Sequence, residues 1–252
     1  MIRFVEKEED KRRLSRLCEE TAFGCKMAAL IRSYGFDKGF ACFWLEEKSG
    51  CAYCLVDGLL IVCGEIGDRT EAREFLQAIG PEAVIAPEAA AKALGLSPAL
   101  QGEVLKKVLP SGSEPALPLG EAPIRDIYGL LEACGMAGDF EPFYLDLSLK
   151  LRRGTALALT EYRDRALAGC AVVSAISRRG AVLSALAVEE SLRGQGIGSR
   201  LLEKAESCLP GKTLYIFREQ DKNGPFYRKH QYVHEDNWIY TAWKEDRHVS
   251  IF

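Results

Sequence analysis

The stretch Leu186–Leu202 reads L-A-V-E-E-S-L-R-G-Q-G-I-G-S-R-L-L. It predicts an apolar strand, a five-residue loop opening on two acids, a turn with glycine at Gly194, Gly196 and Gly198, and then an amphipathic helix. Glycine lacks a Cβ and enters left-handed backbone angles freely. Successive N–H groups in such a turn therefore converge on one anion at the positive end of the helix that follows. The residue order describes a backbone seat for a pyrophosphate. A Rossmann turn does not fit, because five residues separate Val188 from Gly194 and Ser199 interrupts the G-x-G-x-x-G form. A Walker loop is absent from the sequence.

Upstream of the glycine turn, strand-like runs at Thr155–Thr160, Ala166–Ile176 and Ala181–Val188 are separated by E-Y-R-D-R and S-R-R-G, turns short enough for an antiparallel meander. Helical spacing covers Ala122–Cys134 and Glu141–Arg153, the second closed by Gly154. Downstream, a helix over Ile197–Cys208 buries Ile197, Leu201, Leu202, Ala205 and Cys208 on one stripe and stops at Pro210 and Gly211. A strand at Thr213–Phe217, a short helix from Asn223 with Pro225, and a strand pair over Tyr232–Trp243 turning at Glu235–Asn237 complete an α+β fold with a mixed, mostly antiparallel sheet flanked by helices.

The first half repeats this order. Strands are expected at Ile2–Val5, Phe40–Leu45, Ala52–Cys63, Ala83–Ala86 and Glu103–Val108, with helices at Lys7–Glu20, Gly24–Tyr34, Arg69–Ile79 and after Pro87. The repetition reads as an internal duplication, divided by L-P-S-G-S-E-P-A-L-P (Leu109–Pro118) into domains 1–112 and 113–252. Where the second half has R-G-Q-G-I-G-S, the first has G-E-I-G-D-R-T, with Glu65 and Asp68 near the helix start. Those carboxylates repel a pyrophosphate, so the first half is expected to be a structural or substrate-shaping partner.

Composition narrows the function further. With 33 basic and 36 acidic residues the formal charge is −3, and no basic run interleaves with aromatics, which argues against a nucleic-acid partner. The opening M-I-R-F-V-E-K-E-E-D, crowded with charge from Glu6 onward, fits neither a signal peptide nor a membrane span. Nine cysteines in mostly apolar surroundings suit a reducing compartment, so the cytoplasm is the expected location. Cys42, Cys51, Cys54 and Cys63 include a C-x-x-C, but in a strand a separation of three sends Cys51 and Cys54 to opposite faces; buried thiols are expected there, not zinc ligands. His230, His234 and His248 show no metal spacing.

Val188, Arg193, Gly194, Gly196, Ile197 and Gly198 resemble motif A of the GNAT superfamily of acetyltransferases, R-x-x-G-x-G after a strand ending in valine. F-Y-R-K-H-Q-Y (Phe226–Tyr232) is similar, more weakly, to the family's F-Y-x-x-x-G-F, with Gln231 where the family has glycine. The resemblance covers roughly Leu117–Trp243; the first half looks like a degenerate copy by element order. It implies acetyl-CoA or a close acyl-CoA as donor and no metal. The pyrophosphate would lie on backbone amides from Arg193 through Gly194, Gln195, Gly196, Ile197 and Gly198 to Ser199, with pantetheine paired to Leu186, Ala187 and Val188. Asn223 is implied as a further cofactor contact, although it lies closer to Tyr227 than the family spacing.

The chemistry of the residues agrees with that implication. An amine attacking a thioester carbonyl develops an oxyanion that an N–H near Val188 would stabilise. The departing thiolate needs a proton. Tyr227, in register with the family's acid, holds one, since a phenol ordinarily titrates near about 10 and a thiol near about 8.5. Glu141, Glu161, Glu189 and Glu190 are candidate bases, with none standing out. Two readings stand: an N-acetyltransferase acting on a primary amine, small-molecule or peptide, in a ternary complex, or a catalytically silent acyl-CoA-binding sensor or scaffold.

Overall fold

The structure, a computed structural model, describes residues 1–19, 21–112 and 123–243. Glu20, residues 113–118 of the expected linker, Ala122 and His248 lie outside the described residues.

The first half runs β1 (Ile2–Phe4), α1 (Glu8–Leu17), α2 (Ala22–Tyr34), β2 (Ala41–Glu46), β3 (Ala52–Val56), β4 (Leu59–Cys63), α3 (Arg69–Ile79), β5 (Ala83–Pro87), α4 (Glu88–Leu94) and β6 (Leu100–Val108). The second runs α5 (Ile124–Ala133), α6 (Phe140–Arg153), β7 (Leu157–Arg163), β8 (Ala166–Ile176), β9 (Gly180–Val188), α7 (Ile197–Ser207), β10 (Thr213–Glu219), α8 (Gly224–Lys229) and β11 (Val233–Ala242). Among the described residues no helix is long and apolar enough to cross a membrane.

Two expectations are corrected. The run Ala52–Cys63 is not one strand: Asp57 (φ 47°) and Gly58 (φ 79°) fold it into the β3–β4 hairpin. The strand pair expected over Tyr232–Trp243 is a single strand, β11, and the residues read as its turn form a bulge between His234 and Asp236.

All eleven strands join one sheet in the order β1-β2-β3-β4-β5-β11-β6-β10-β9-β8-β7. Each half contributes a meander whose last member pairs in parallel with the next strand, β4 with β5 and β9 with β10. Their final strands are exchanged. The first half's β6 lies antiparallel to β10, the second half's β11 lies antiparallel to β5, and β6 and β11 pair with each other at the centre.

On one face of the second half α7 and α8 cover Leu183, Leu214 and Ile216, with Ile197, Leu201, Leu202 and Tyr227 buried against them. On the other, α5 and α6 cover Val172, Ala185 and Ala187, while α2 of the first half packs over Ala175, Val182, Tyr215 and Phe217. Cys51 and Cys54 fall in separate cores on opposite faces of β3.

Candidate acyl-carrier site

β9 and β10 pair only from Gly180 against Thr213 to Leu183 against Ile216. Above that row they diverge. The divergence coincides with irregularities at Ser174 in β8 and Ser184 in β9, whose hydroxyls hydrogen-bond each other. Beyond the fork, the Glu189 N–H donates to the Ala168 carbonyl of β8 at 2.9 Å. Because amides alternate sides along a strand, Ala187 also faces β8, whereas the N–H and C=O groups of Leu186 and Val188 face the gap left by β10. Of the stretch expected to pair with pantetheine, Leu186 and Val188 thus present backbone groups to the gap, and Ala187 does not.

Past Val188 the chain makes a 3₁₀ turn over Glu190–Leu192 and enters the glycine segment. Gly194 (φ 80°) and Gly196 (φ 78°) are left-handed. Gly198 is not: it lies inside α7, and a Cβ there would meet only ordinary contacts at 3.7 Å from Phe226 and Val188. The Arg193 N–H donates to the Glu190 carbonyl, and its side chain turns back so that Nε donates to the Val188 carbonyl at 3.2 Å and Nη2 approaches Cys134 Sγ at 3.8 Å. The seat therefore begins one residue later than expected. The N–H groups of Gly194, Gln195, Gly196, Ile197, Gly198 and Ser199 have no protein acceptor among the described residues, and α7 contributes its positive end to them. That donor set fits a diphosphate.

The first half makes the opposite use of its corresponding turn. Glu46, 1% exposed at the end of β2, accepts from the Gly67 N–H at 3.0 Å and the Asp68 N–H at 2.7 Å. Asp68 caps α3 through the N–H groups of Thr70 (3.0 Å) and Glu71 (3.1 Å). The protein's own carboxylates fill this cradle. In the second half the hairpin acid Glu161 is held instead by Arg200, through Nε at 3.2 Å and Nη2 at 2.5 Å, clear of the glycine turn.

α8 closes over the seat. Asn223 (φ 57°) starts the helix, exposed and without a side-chain cap bond, and Phe226 rests on Gly198. Tyr227 is 8% exposed, packed edge-on against Phe226 and Tyr232, and its hydroxyl has no hydrogen-bond partner among the described residues. Burial pushes its phenol up to about 12, partly offset by the nearby Arg218 guanidinium. Gln231, at the family's glycine position, is itself left-handed (φ 66°), so the departure in residue keeps the backbone shape.

Some of the site was not read from the sequence. His230, read in the sequence only as lacking metal spacing, bonds through Nε2 to Ser199 Oγ at 2.9 Å and ties α8 to the first turn of α7. Its spacing of four from Phe226 placed both on one helical face. Cys134 lies 3.8 Å from the Val188 carbonyl, a contact between distant segments that no local pattern announces. Among the candidate bases, Glu161 is committed to Arg200, and Glu189 is held below the usual carboxylate range chiefly by its hydrogen bond with the Ser191 hydroxyl. Glu141 and Glu190 are exposed. Among the described residues no cluster of His, Cys, Asp or Glu could hold a metal ion.

The sheet, its parallel fork and the helix-capped glycine turn define a fold of the tandem GNAT type. Residues 155–234, within the second half, match the family model for an acetyltransferase (GNAT) domain. Among solved structures, it is similar to a tandem GNAT protein from the clavulanic acid biosynthesis pathway, with 15% identity and a TM-score of 0.56 over 95% of this chain and 97% of the other. It is also similar to a GCN5-related N-acetyltransferase from Sphaerobacter thermophilus (16% identity, TM-score 0.59, 99% and 98% covered). A third, from Kribbella flavida, gives 15% identity and a TM-score of 0.57 over 90% and 94%. Curated proteins gave no match.

Proposed function

We propose that the protein is an N-acetyltransferase that uses acetyl-CoA to acylate a primary amine by direct attack in a ternary complex, with one competent site per chain, in the second half. The carrying observation is the contrast between the two glycine turns: six consecutive N–H groups without an acceptor among the described residues in one, carboxylates already seated in the other. When bound, the thioester supplies the activated acyl group. Gly194–Ser199 would hold its diphosphate, and the gap-facing amides of Leu186 and Val188 would align the pantetheine arm and stabilise negative charge on the carbonyl oxygen. Tyr227, protonated at working pH, would give the leaving sulfur its proton.

Calorimetric titration with acetyl-CoA tests this reading. One molecule should bind per chain. Gly196→Asp, which brings a carboxylate to the seat, should weaken binding at least tenfold, about 1.4 kcal/mol, without loss of fold by circular dichroism. Two sites, or an unchanged affinity in the variant, would remove it.

A further inference from the structure

The groups described so far that serve the thioester lie on the α7/α8 face of the sheet. With a carrier seated on that face, an acceptor would reach the carbonyl from the opposite one. On that opposite face the fork is walled on the β9 side by the end of α5, where Cys134 meets Val188. On the β10 side the wall is α2, which belongs to the first half. Phe217, one residue past the last paired row, packs edge-on against Phe23 of α2 with centroids 5.1 Å apart, and Lys26 Nζ sits 4.6 Å from the centre of its ring. α2 is fixed there by Arg32 donating to the Ile176 carbonyl at 2.9 Å and by the Ser33–Thr155 hydroxyl pair at 2.5 Å.

The geometry points to Lys26 as the general base of the acyl transfer, supplied to the second half's site by the first half. This rests on the acetyltransferase reading above. Lys26 is a partly exposed titratable group on the acceptor face beside the fork, its Nζ over the Phe217 ring. Burial first, and then the positive charge of Lys150 on α6, push its ammonium down to about 8; Cys25, its neighbour on α2, opposes this. A lysine poised there is neutral in a useful fraction near neutral pH.

In the step assigned to it, neutral Lys26 Nζ takes one proton from the acceptor's ammonium and later releases it to water. The freed amine attacks the thioester carbonyl, the C–N bond forms, and the C–S bond breaks with its electron pair leaving on sulfur. Tyr227 protonates that sulfur and is reprotonated by the second proton shed from nitrogen. Base and acid thus work from opposite faces of one sheet.

The test uses the full chain with glycinamide, alaninamide and glucosamine as acceptors, amines that are neutral by about pH 10. CoA release is followed from about pH 6 to pH 10, and acetyl-CoA affinity is measured separately. For Lys26→Met, kcat/KM near pH 7 should fall about tenfold, since an amine titrating near about 8 is only about one-tenth neutral there, with acetyl-CoA affinity within twofold of wild type. The deficit should close to within about threefold near pH 10, where the acceptor no longer needs a base. Lys26→Arg, which cannot give up its proton, should not rescue the loss. The same deficit at both pH values, rescue by Arg, or no deficit would each overturn the assignment. Wild type that binds acetyl-CoA but acylates none of the amines would also overturn it, while leaving the carrier site intact; wild type that binds no acetyl-CoA would fail the function itself.

Discussion

Tyr227 shows how position turns an ordinary phenol into a candidate acid. Its ring is locked between Phe226 and Tyr232, and burial holds the hydroxyl proton up to about 12, so the protonated form persists throughout any working range. Tyr227→Phe should lower kcat about a hundredfold, the lower bound for a lost proton donor, while acetyl-CoA affinity stays the same. An undiminished kcat would remove the residue from the chemistry, and a protein that binds the carrier with no turnover to lose would be the silent sensor. Gln231 makes a separate point. Its left-handed backbone costs about 1 kcal/mol relative to glycine, a cost the tight α8–β11 connection imposes whichever residue stands there.

Elements whose limits are set by local chemistry were legible. Asp68 and Gly80 bracket α3 as its cap and its left-handed terminator, and Gly154 ends α6 in the same way. The strand of the glycine turn, its loop and its helix also fell where the residues placed them. What local chemistry does not encode is pairing between distant segments. The acids around Asp236 look like a hairpin turn, yet β11 is held straight by β6 on one side and β5 on the other, so the turn is absorbed as a bulge. In the site, the Lys26–Phe217 and Cys134–Val188 contacts were hidden for the same reason. The central strands carry a sharp constraint of their own. The Trp238 indole crosses β6 over Gly102 to donate to the Arg218 carbonyl at 3.1 Å, and a Cβ on Gly102 would fall 1.9 Å from that oxygen and 2.7 Å from the indole nitrogen. Gly102→Ala should destabilise the protein by about 3 kcal/mol, lowering Tm by roughly 6–12 °C in thermal unfolding followed by circular dichroism. A Tm within a degree or two of wild type would mean that β6 is not bound to β10 as described.

For the whole molecule, the exchange of β6 and β11 makes the halves mutually dependent, although composition and linker suggest separable domains. Residues 113–252 alone would leave the β10 edge from Thr213 to Glu219 unpaired and β11 without either neighbour. Expressed alone, that fragment should be aggregated or lack near-ultraviolet circular dichroism, whereas co-expression with residues 1–112 should yield a soluble one-to-one complex. A monomeric second half that unfolds cooperatively by itself would contradict this. The same interlacing bears on how the halves can move. Swinging one half away from the other would mean unzipping several backbone ladders at once, so the two lobes behave as a single rigid plate.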